Sequence, residues 1–246
     1  MCYLASKYDS VFKDFKRNCF YNRILECTSE QEEYGSHMLK LIAKIPNFSP
    51  TFEDWREFAK NDLYGNPRVY PVKFDGGKIN LSSTTIRYVK VLGDIISMFD
   101  TSEIKTVAEI GVGYGGQCRI IINKLPIESY SLFDLPEVLG LAEKFLSHYD
   151  EGRRNIRYID GRHIYVSDNY DFFMSNYAFT ELRREIQDYY MEKVILKSKA
   201  GYITWNEFSE NCFSGYSVDE FMKIIPGSSR IEIDYPGECL VVWGNK

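Results

Sequence analysis

The sequence lacks the features that mark disulfide-stabilised and membrane-inserted proteins. Its 246 residues contain six cysteines, but no CxxC pair and no spacing typical of a disulfide framework. We therefore expect reduced thiols and a cytoplasmic location. The start, MCYLASKYDS, has no apolar segment like that of a signal peptide. No window approaches the ~18 apolar residues that suggest a membrane span, so neither secretion nor stable membrane insertion is expected.

An excess of positive charge is also missing. The 30 lysines and arginines stand against 35 acidic residues, a net charge of −5, and no nucleic-acid partner is expected. One local exception is EGRRNIRYIDGRH at residues 151–163, for which the alternatives are a solvated loop and a site for an anionic substrate. The hydrophobic fraction of 44% is ordinary for a globular protein with one substantial core.

The first hundred residues have mostly helical patterns. Apolar residues recur at helical spacing near the start: Val11, Phe12, Phe15, Cys19 and Phe20. We expect this amphipathic helix to pack on its own core or on a partner subunit, the alternative being a membrane surface. A second helix is predicted to start at Thr28 or Ser29, with Gln31 or Glu32 completing a capping box.

A hairpin and a long helix are predicted before residue 100. PVKFDGGKINL indicates a hairpin that turns at residues 75–77, and a helix is predicted over residues 82–99. We place a domain boundary at about residue 100. Residues 1–100 form a mainly helical region that acts as a lid, a substrate-binding element or a dimerisation element. Residues 101–246 form the second domain.

Strand and helix patterns alternate after residue 100. Strands are predicted at 106–112, 129–135, 156–160, 170–176 and 201–206, and helices at 115–125, 136–149 and 181–197. Such alternation predicts a parallel sheet with helices on both faces and ligands at the carboxyl ends of the strands. The last two strand-like runs, 230–235 and 239–243, are joined by a loop that permits only an antiparallel pair. The predicted fold is α/β, a Rossmann-like doubly wound sheet with a reversed C-terminal β-hairpin, preceded by a mainly helical N-terminal region.

The stretch VAEIGVGYGGQCRII at residues 107–121 is a candidate nucleotide-binding turn. Gly111, Gly113 and Gly116 satisfy the pattern GxGxxG. Glycine permits unusual dihedral angles here and a close approach of a ligand to the backbone. The pattern does not identify the ligand, and a turn that serves packing alone is the alternative.

Three acidic residues, together with the reversed terminal hairpin, shift the choice of ligand away from NAD. Glu109 lies inside a strand, where a buried carboxylate needs a partner such as the amino group of a bound amino acid. Asp134 ends the next strand, where a carboxylate can accept both ribose hydroxyls, with a helix cap as its alternative role. Asp160 ends the third predicted strand, within reach of an adenine amino group.

Several ordered motifs together resemble the class I S-adenosylmethionine-dependent methyltransferases, over residues 106–246. The motifs are EIGVGYGG, FDLPEV, YIDG, DFFMSNYAFTEL and the terminal hairpin. EIGVGYGG, FDLPEV and SNYAFTEL are also similar to the sugar O-methyltransferases of bacterial surface-polysaccharide clusters. That family has an N-x-x-[SA]-F-x-E-[ML] segment. Ala178, Phe179, Glu181 and Leu182 match it here, and Asn176 stands for its asparagine with one residue fewer before the alanine.

The resemblance implies S-adenosylmethionine as the cofactor, S-adenosylhomocysteine as the product and a sugar or nucleotide-sugar as the substrate. Glu109 would hold the methionyl amino group, Asp134 the ribose hydroxyls and Asp160 the adenine amino group. The full implied set of cofactor-binding residues is Glu109, Gly111, Gly113, Gly115, Asp134, Leu135, Asp160, Gly161 and Asn176.

The reaction so implied is an in-line transfer of a methyl group to a sugar hydroxyl, which a positioned base assists. Glu181, at the start of a predicted helix whose dipole would keep it ionised, is the first candidate base. Glu207 and His163 are the next candidates. The predicted substrate-binding residues are Arg87, Tyr88, Tyr177 and Asn206.

The resemblance to sugar methyltransferases does not lead us to expect a bound metal ion. Some related sugar enzymes use clustered acids, and TWNEFSEN offers Asn206, Glu207 and Glu210 but no adjacent pair of aspartates. FDLPEV also resembles aromatic small-molecule O-methyltransferases. Those enzymes rely on a histidine after the fourth or fifth strand, and none occurs there.

Other functions stay open at this point. They are an O-methyltransferase for another small hydroxylated metabolite, an NAD-dependent oxidoreductase, and a catalytically inactive binding module. The amphipathic start is compatible with a homodimer contact or with a lid over the strand ends.

Overall fold

The computed structural model describes residues 1–21, 32–150, 155–165, 168–207 and 212–246. The helices in these ranges are α1 (Cys2–Lys7), α2 (Asp9–Phe12), α3 (Cys19–Tyr21), α4 (Glu32–Ile42), α5 (Phe52–Ala59), α6 (Ser83–Met98), α7 (Gly116–Lys124), α8 (Pro136–Leu146), α9 (Arg184–Lys193) and α10 (Val218–Ile224). The strands are β1 (Tyr70–Phe74), β2 (Gly77–Leu81), β3 (Thr106–Ile110), β4 (Ser129–Asp134), β5 (Ile156–Asp160), β6 (Tyr170–Asn176), β7 (Ser198–Asn206), β8 (Ser229–Glu232) and β9 (Glu238–Trp243). Among these described helices, none is long and apolar enough to cross a membrane.

The chain divides into two compact units. The first comprises Met1–Met98, Gly113–Lys124 and Glu137–Arg153, and the second comprises Phe99–Val112, Leu125–Pro136 and Arg154–Lys246. A functional division of the chain at residue 100 stays a prediction.

The second unit contains a seven-stranded sheet in the order β5-β4-β3-β6-β7-β9-β8. Strands β3 to β7 run parallel, whereas β9 is antiparallel to both β7 and β8. This topology confirms the predicted Rossmann-like α/β fold and its reversed C-terminal hairpin. The strand order changes direction between β3 and β6, the place where open α/β sheets bind ligands.

The core of the second unit follows from the two-residue period of the strands. Ala108 and Ile110 of β3 point to one face, where they join a buried cluster with Tyr190 of α9 and Phe221 of α10. The rings of Phe221 and Trp205 lie 5.3 Å apart at 65° in this cluster. Full burial of one such side chain contributes about 1.5 to 3 kcal/mol to the free energy of unfolding. This packing therefore holds α9 and α10 against the sheet and keeps the carboxyl ends of its strands in place.

The first unit is mainly helical, as predicted, and contains the β1–β2 hairpin that turns at residues 75 and 76. Tyr114, which follows Gly113 in the glycine-rich turn, is fully buried in this unit. Its ring lies 4.7 Å from the ring of Phe145 and 3.9 Å from the ammonium of Lys16. Lys16 also donates a hydrogen bond of 2.6 Å to the Asn61 carbonyl. These contacts anchor Tyr114, and with it the glycine-rich turn, to residues of the amino-terminal helical region.

Two helix predictions need correction. The amphipathic stretch 11–20 is not one helix, because Asn18 is extended and its carboxamide oxygen accepts the N–H groups of Phe20 and Tyr21, which starts a new turn. The predicted helix over 181–197 is also divided. Its extended backbone at Leu182 and Arg183 separates a 3-10 turn (Ala178–Glu181) from α9. The predicted cap at Thr28 or Ser29, with Gln31, lies outside the described residues.

Candidate functional site

The glycine-rich turn after β3 uses three left-handed backbone positions. The φ angles are +78° at Gly111, +54° at Gly113 and +84° at Gly115, a region in which only glycine is free of strain. A Cβ atom on Gly111 would overlap the Ala178 methyl group, whereas one on Gly113 would have no atom within 4 Å. Packing therefore requires Gly111. At Gly113 the space beside the backbone is open, as a ligand that passes the turn would need.

Glu109 is buried at the end of β3 with a tyrosine as its hydrogen-bond donor. Its side chain is 2% exposed, and the Tyr130 hydroxyl donates a 2.7 Å hydrogen bond to Glu109 Oε2. Burial raises the pKa of Glu109 to about 8; the Tyr130 hydrogen bond opposes this rise, and the negative charge of Asp134 adds to it. The carboxyl group therefore keeps its proton at neutral pH unless a positive charge is placed beside it.

Asp134 ties the glycine-rich turn to the end of β4. Its Oδ2 accepts the Val112 N–H at 2.8 Å, and its Oδ1 accepts the Leu135 N–H at 2.7 Å. The carboxylate is partly exposed, and the side chain of Leu135 beside it is 50% exposed. An acidic group and an apolar surface thus stand together at the strand end.

Asp160 ends β5 and forms an ion pair with Arg162. The Arg162 guanidinium donates to Asp160 Oδ1 at 2.9 Å and to Oδ2 at 2.8 Å, and the Arg162 backbone N–H donates to Oδ1 at 3.0 Å. The side-chain hydrogen bond from Arg162 lowers the pKa of Asp160 to about 2. Gly161 donates its N–H to the Asp134 carbonyl at 2.9 Å, which joins the ends of β4 and β5.

A strained residue follows β6. Tyr177 has φ 68° and ψ −45°, a conformation that costs a non-glycine residue about 1 to 3 kcal/mol. Its N–H donates to the Thr204 carbonyl at 3.0 Å and its hydroxyl donates to Glu238 Oε2 at 2.9 Å. The carboxamide oxygen of Asn176 accepts the Thr204 hydroxyl at 3.0 Å. Strain of this kind collects at functional sites, and here it stands at the ligand-binding edge of the sheet.

The structure changes the argument for Glu181. We predicted that Glu181 begins a long helix, but it is the last residue of the 3-10 turn and α9 begins at Arg184. The argument from the dipole of that helix therefore does not apply to Glu181. Its carboxylate is exposed and accepts a hydrogen bond of 3.3 Å from the Asn206 carboxamide.

The other two candidate bases have different surroundings. Glu207 follows β7 and forms an ion pair of 2.8 Å with Arg230. His163 is exposed after β5, and its ring lies 6.4 Å from the ring of Tyr165. The structure thus brings Glu181 and Asn206 together at the ends of β6 and β7.

Two predicted substrate-binding residues lie in the first unit, on α6. Tyr88 is 7% exposed, its carbonyl accepts the Gln117 carboxamide at 3.2 Å, and the Arg87 guanidinium lies 5.4 Å from its ring. These contacts hold α6 and α7 together. A role of Arg87 and Tyr88 in substrate binding stays a prediction.

Within the described ranges, no group of three or more histidine, cysteine, aspartate or glutamate side chains could hold a metal ion. Glu210 lies outside those ranges. The expectation of metal independence stays a prediction.

Three residues near the strand ends were missed in the sequence: Tyr130, Tyr190 and Glu238. Tyr130 and Tyr190 resemble ordinary core aromatics in their segments, and Glu238 was assigned to the hairpin loop. The sequence gives no signal for their hydroxyl and carboxylate contacts, because these depend on strand register.

Residues 80–168 match the family model of the O-methyltransferase domain. This segment contains β3, the glycine-rich turn, Asp134 and Asp160. The match supports an S-adenosylmethionine-dependent O-methyltransferase. Comparison with curated proteins gave no match.

The chain is also similar to solved structures at low identity. The mitomycin 7-O-methyltransferase MmcR is 12% identical, with 89% of this chain and 74% of that chain covered and a TM-score of 0.49. PigF with SAH is 15% identical over 67% of this chain, with a TM-score of 0.48, and this chain spans 59% of the length of PigF. M. capricolum TrmK, in complex with S-adenosylhomocysteine, is 14% identical over 56% of this chain and 60% of that chain, with a TM-score of 0.40.

Proposed function

We propose that this protein transfers a methyl group from S-adenosylmethionine to a hydroxyl of a sugar, either in a surface polysaccharide or in a nucleotide-sugar. The observation that carries the proposal is the pair of carboxyl groups around the glycine-rich turn. Glu109 is buried below the turn and accepts a hydrogen bond from the Tyr130 hydroxyl of β4, and Asp134 accepts the Val112 N–H of the turn. A ligand with a cationic amino group and a ribose fits this pair.

The residues present fit S-adenosylmethionine in three respects. Glu109 would exchange its proton for the charge of the methionyl amino group. The open space at Gly113, with Gly111 and Gly115 shaping the backbone, would admit the methionine and ribose. Asp134 would accept ribose hydroxyls at the end of β4, where its carboxylate already accepts the N–H groups of Val112 and Leu135.

The remaining proposed contacts lie along the ends of β4, β5 and β6. Leu135 would pack on the adenine, Asp160 and Gly161 would approach its amino group, and Asn176 would touch the cofactor near the methyl group. When bound, S-adenosylmethionine supplies a methyl group activated by the positive sulfonium. The protein then has to align the acceptor and exclude water.

The acceptor side of the proposed site is rich in hydrogen-bond acceptors. Glu181 and Asn206 are in contact at the ends of β6 and β7, and Glu238 holds the Tyr177 hydroxyl nearby on β9. Such groups suit a substrate that carries several hydroxyl donors, which favours a sugar. The same groups would also serve another small hydroxylated metabolite, the alternative substrate class.

We propose Glu181 as the residue that orients or deprotonates the acceptor hydroxyl. Asn206 Nδ2 donates to Glu181 Oε1 and holds the carboxylate at the strand ends. Glu207 is the second choice because its carboxylate is already engaged in an ion pair with Arg230. His163 is the third.

Binding of the cofactor is tested by calorimetry in metal-free buffer. Replacement of Asp134 by alanine should cost about 2 to 4 kcal/mol of binding free energy, because two ribose hydroxyls lose a charged acceptor. An unchanged dissociation constant in a folded Asp134→Ala variant would contradict the assignment. Thermal stabilisation by NAD and none by S-adenosylmethionine would favour an NAD-dependent oxidoreductase instead.

The methyl acceptor is tested with a panel of nucleotide-sugars and small hydroxylated metabolites. Glu181→Gln should lower turnover about 100-fold or more, the scale of general base catalysis, with normal binding of S-adenosylmethionine. Glu185→Gln is the matched control, since Glu185 is an exposed acid in the first turn of α9. Near wild-type turnover of Glu181→Gln would exclude Glu181 as the catalytic base.

A cytoplasmic location and a homodimer are further parts of the proposal.

A further inference from the structure

Tyr190 carries a hydroxyl group that the fold of the second unit does not use. The residue belongs to α9, its side chain is 5% exposed, and its ring lies in the core cluster with Phe133 and Ile159. In the described part of the chain, no hydrogen bond of the Tyr190 hydroxyl to another residue is found. The hydroxyl oxygen is not fully enclosed by the protein, so a ligand at the strand ends can reach it.

The hydroxyl of Tyr190 stands at the junction of the β4 and β5 ends. A Cβ atom on Gly161 would overlap this hydroxyl, and the same position is 3.5 Å from the Asp134 carbonyl. Glycine at 161 is therefore what lets Tyr190 reach the strand ends. Burial raises the pKa of Tyr190, and the negative charges of Asp134 and Asp160 raise it further. The group thus stays protonated and available as a donor.

The chemistry of this junction is complementary to one edge of adenine. An adenine presents an amino donor and, next to it, the acceptor N1. The carboxylate of Asp160 accepts hydrogen bonds, and the hydroxyl of Tyr190 can donate one. Leu135 supplies an exposed apolar surface on the neighbouring strand end.

We propose that the Tyr190 hydroxyl donates a hydrogen bond to N1 of the cofactor's adenine and so makes the site selective for adenine. This inference rests on the proposed function, because it needs the adenosine of S-adenosylmethionine at the β4 and β5 ends. Hypoxanthine carries a hydrogen on N1 and cannot accept this bond.

The experiment compares the binding of S-adenosylhomocysteine and S-inosylhomocysteine to the full chain and to Tyr190→Phe by calorimetry. A neutral hydrogen bond has a net value that corresponds to about a three- to tenfold change in affinity. Tyr190→Phe should therefore bind S-adenosylhomocysteine about fivefold more weakly, with little change for S-inosylhomocysteine and an unchanged Tm.

Tyr189→Phe is the matched control on the neighbouring position. The Tyr189 hydroxyl accepts the Ile164 N–H at 2.7 Å, so its loss should lower the Tm and leave the affinity within about twofold. Equal affinities of the full chain and Tyr190→Phe would overturn the proposal, as would a loss of affinity accompanied by a lower Tm or an equal loss for both ligands. If the unaltered chain bound neither S-adenosylhomocysteine nor S-adenosylmethionine, the proposed function would fail, and the assignment of Tyr190 with it.

Discussion

Glu109 and Asp160 carry carboxyl groups at the ends of β3 and β5, two strands of one sheet that are separated by β4. The pKa values of these two groups are shifted in opposite directions. The pKa of Glu109 is raised to about 8 by burial. The pKa of Asp160 is lowered to about 2 by the hydrogen bond from Arg162. The difference in environment, and not the strand position, sets the charge of each group.

This comparison separates two kinds of binding group. Asp160 already has a cation and is an acceptor with a permanent negative charge. Glu109 has a hydroxyl donor in Tyr130, and its ionised form becomes favourable only when a positive charge arrives. Recognition of a cationic ligand group is therefore expected at β3, and recognition of a neutral hydrogen-bond donor at β5.

The largest effect is expected on the affinity for the cofactor when the Glu109 carboxyl group on β3 is removed. Glu109→Gln should lower the affinity for S-adenosylmethionine about 10- to 100-fold, because a charge-assisted bond to the amino group is lost. The fold should persist at pH 7, since the carboxyl group it replaces is itself neutral there. Calorimetry gives the affinity, and Glu103→Gln is the control, because Glu103 is exposed just before β3. An affinity equal to that of Glu103→Gln would show that Glu109 does not contact the ligand.

The next largest effect concerns how the free energy of unfolding depends on pH through Glu109. The folded pKa of Glu109, about 8, is above its ordinary value of 4.5, so the folded state binds more protons between these values. The free energy of unfolding should therefore fall as the pH rises from 4.5 to 8, by on the order of a few kcal/mol. Urea unfolding at a series of pH values measures this, and Glu109→Gln should remove the decline. Parallel curves for the two proteins would mean that Glu109 is not buried as described.

The smallest effect is expected at β5. Arg162→Gln should return the pKa of Asp160 from about 2 toward its ordinary 3.8, which a carbon-detected NMR titration of the carboxyl group would show. Because Asp160 has a lowered folded pKa, its contribution to stability is present above pH 3.8 and disappears as the pH falls through 2. An exposed pair is worth about 0 to 1 kcal/mol, so the Tm near neutral pH should hardly change. A large drop in Tm would mean that the pair supports the fold.

The sheet could be predicted from the sequence because its signals are local. The strands at residues 156–160 and 170–176 were predicted with their observed bounds, and the short loop after residue 235 required the reversed hairpin. The glycine-rich turn and Asp134 were placed correctly at the strand ends for the same reason.

The failed predictions depend on tertiary contacts. The buried Gln187 donates to the Phe179 carbonyl at 2.8 Å and accepts the Tyr216 N–H, and this holds the 3-10 turn apart from α9. Helices α5 and α10 were not predicted individually, although each has a capping box, Thr51 with Asp54 and Ser217 with Glu220.

The site was predictable only at the level of residue types. An acid in a strand before a glycine turn indicated that Glu109 needs a partner, but not that Tyr130 donates to it or that its proton is retained. Tyr190 reaches the strand ends because Gly161 has no side chain, and such a relation between distant residues leaves no mark in either local sequence.

The most direct test of the account is the number of protons released when the cofactor binds. Calorimetry at pH 6.5 in buffers of different ionisation enthalpy gives this number. Because the Glu109 carboxyl should ionise as it meets the amino group, we expect release of about one proton per S-adenosylmethionine bound, and none from Glu109→Gln. Binding without proton release by the unaltered protein, or the same release by Glu109→Gln, would contradict the central claim that Glu109 receives the cationic end of the cofactor.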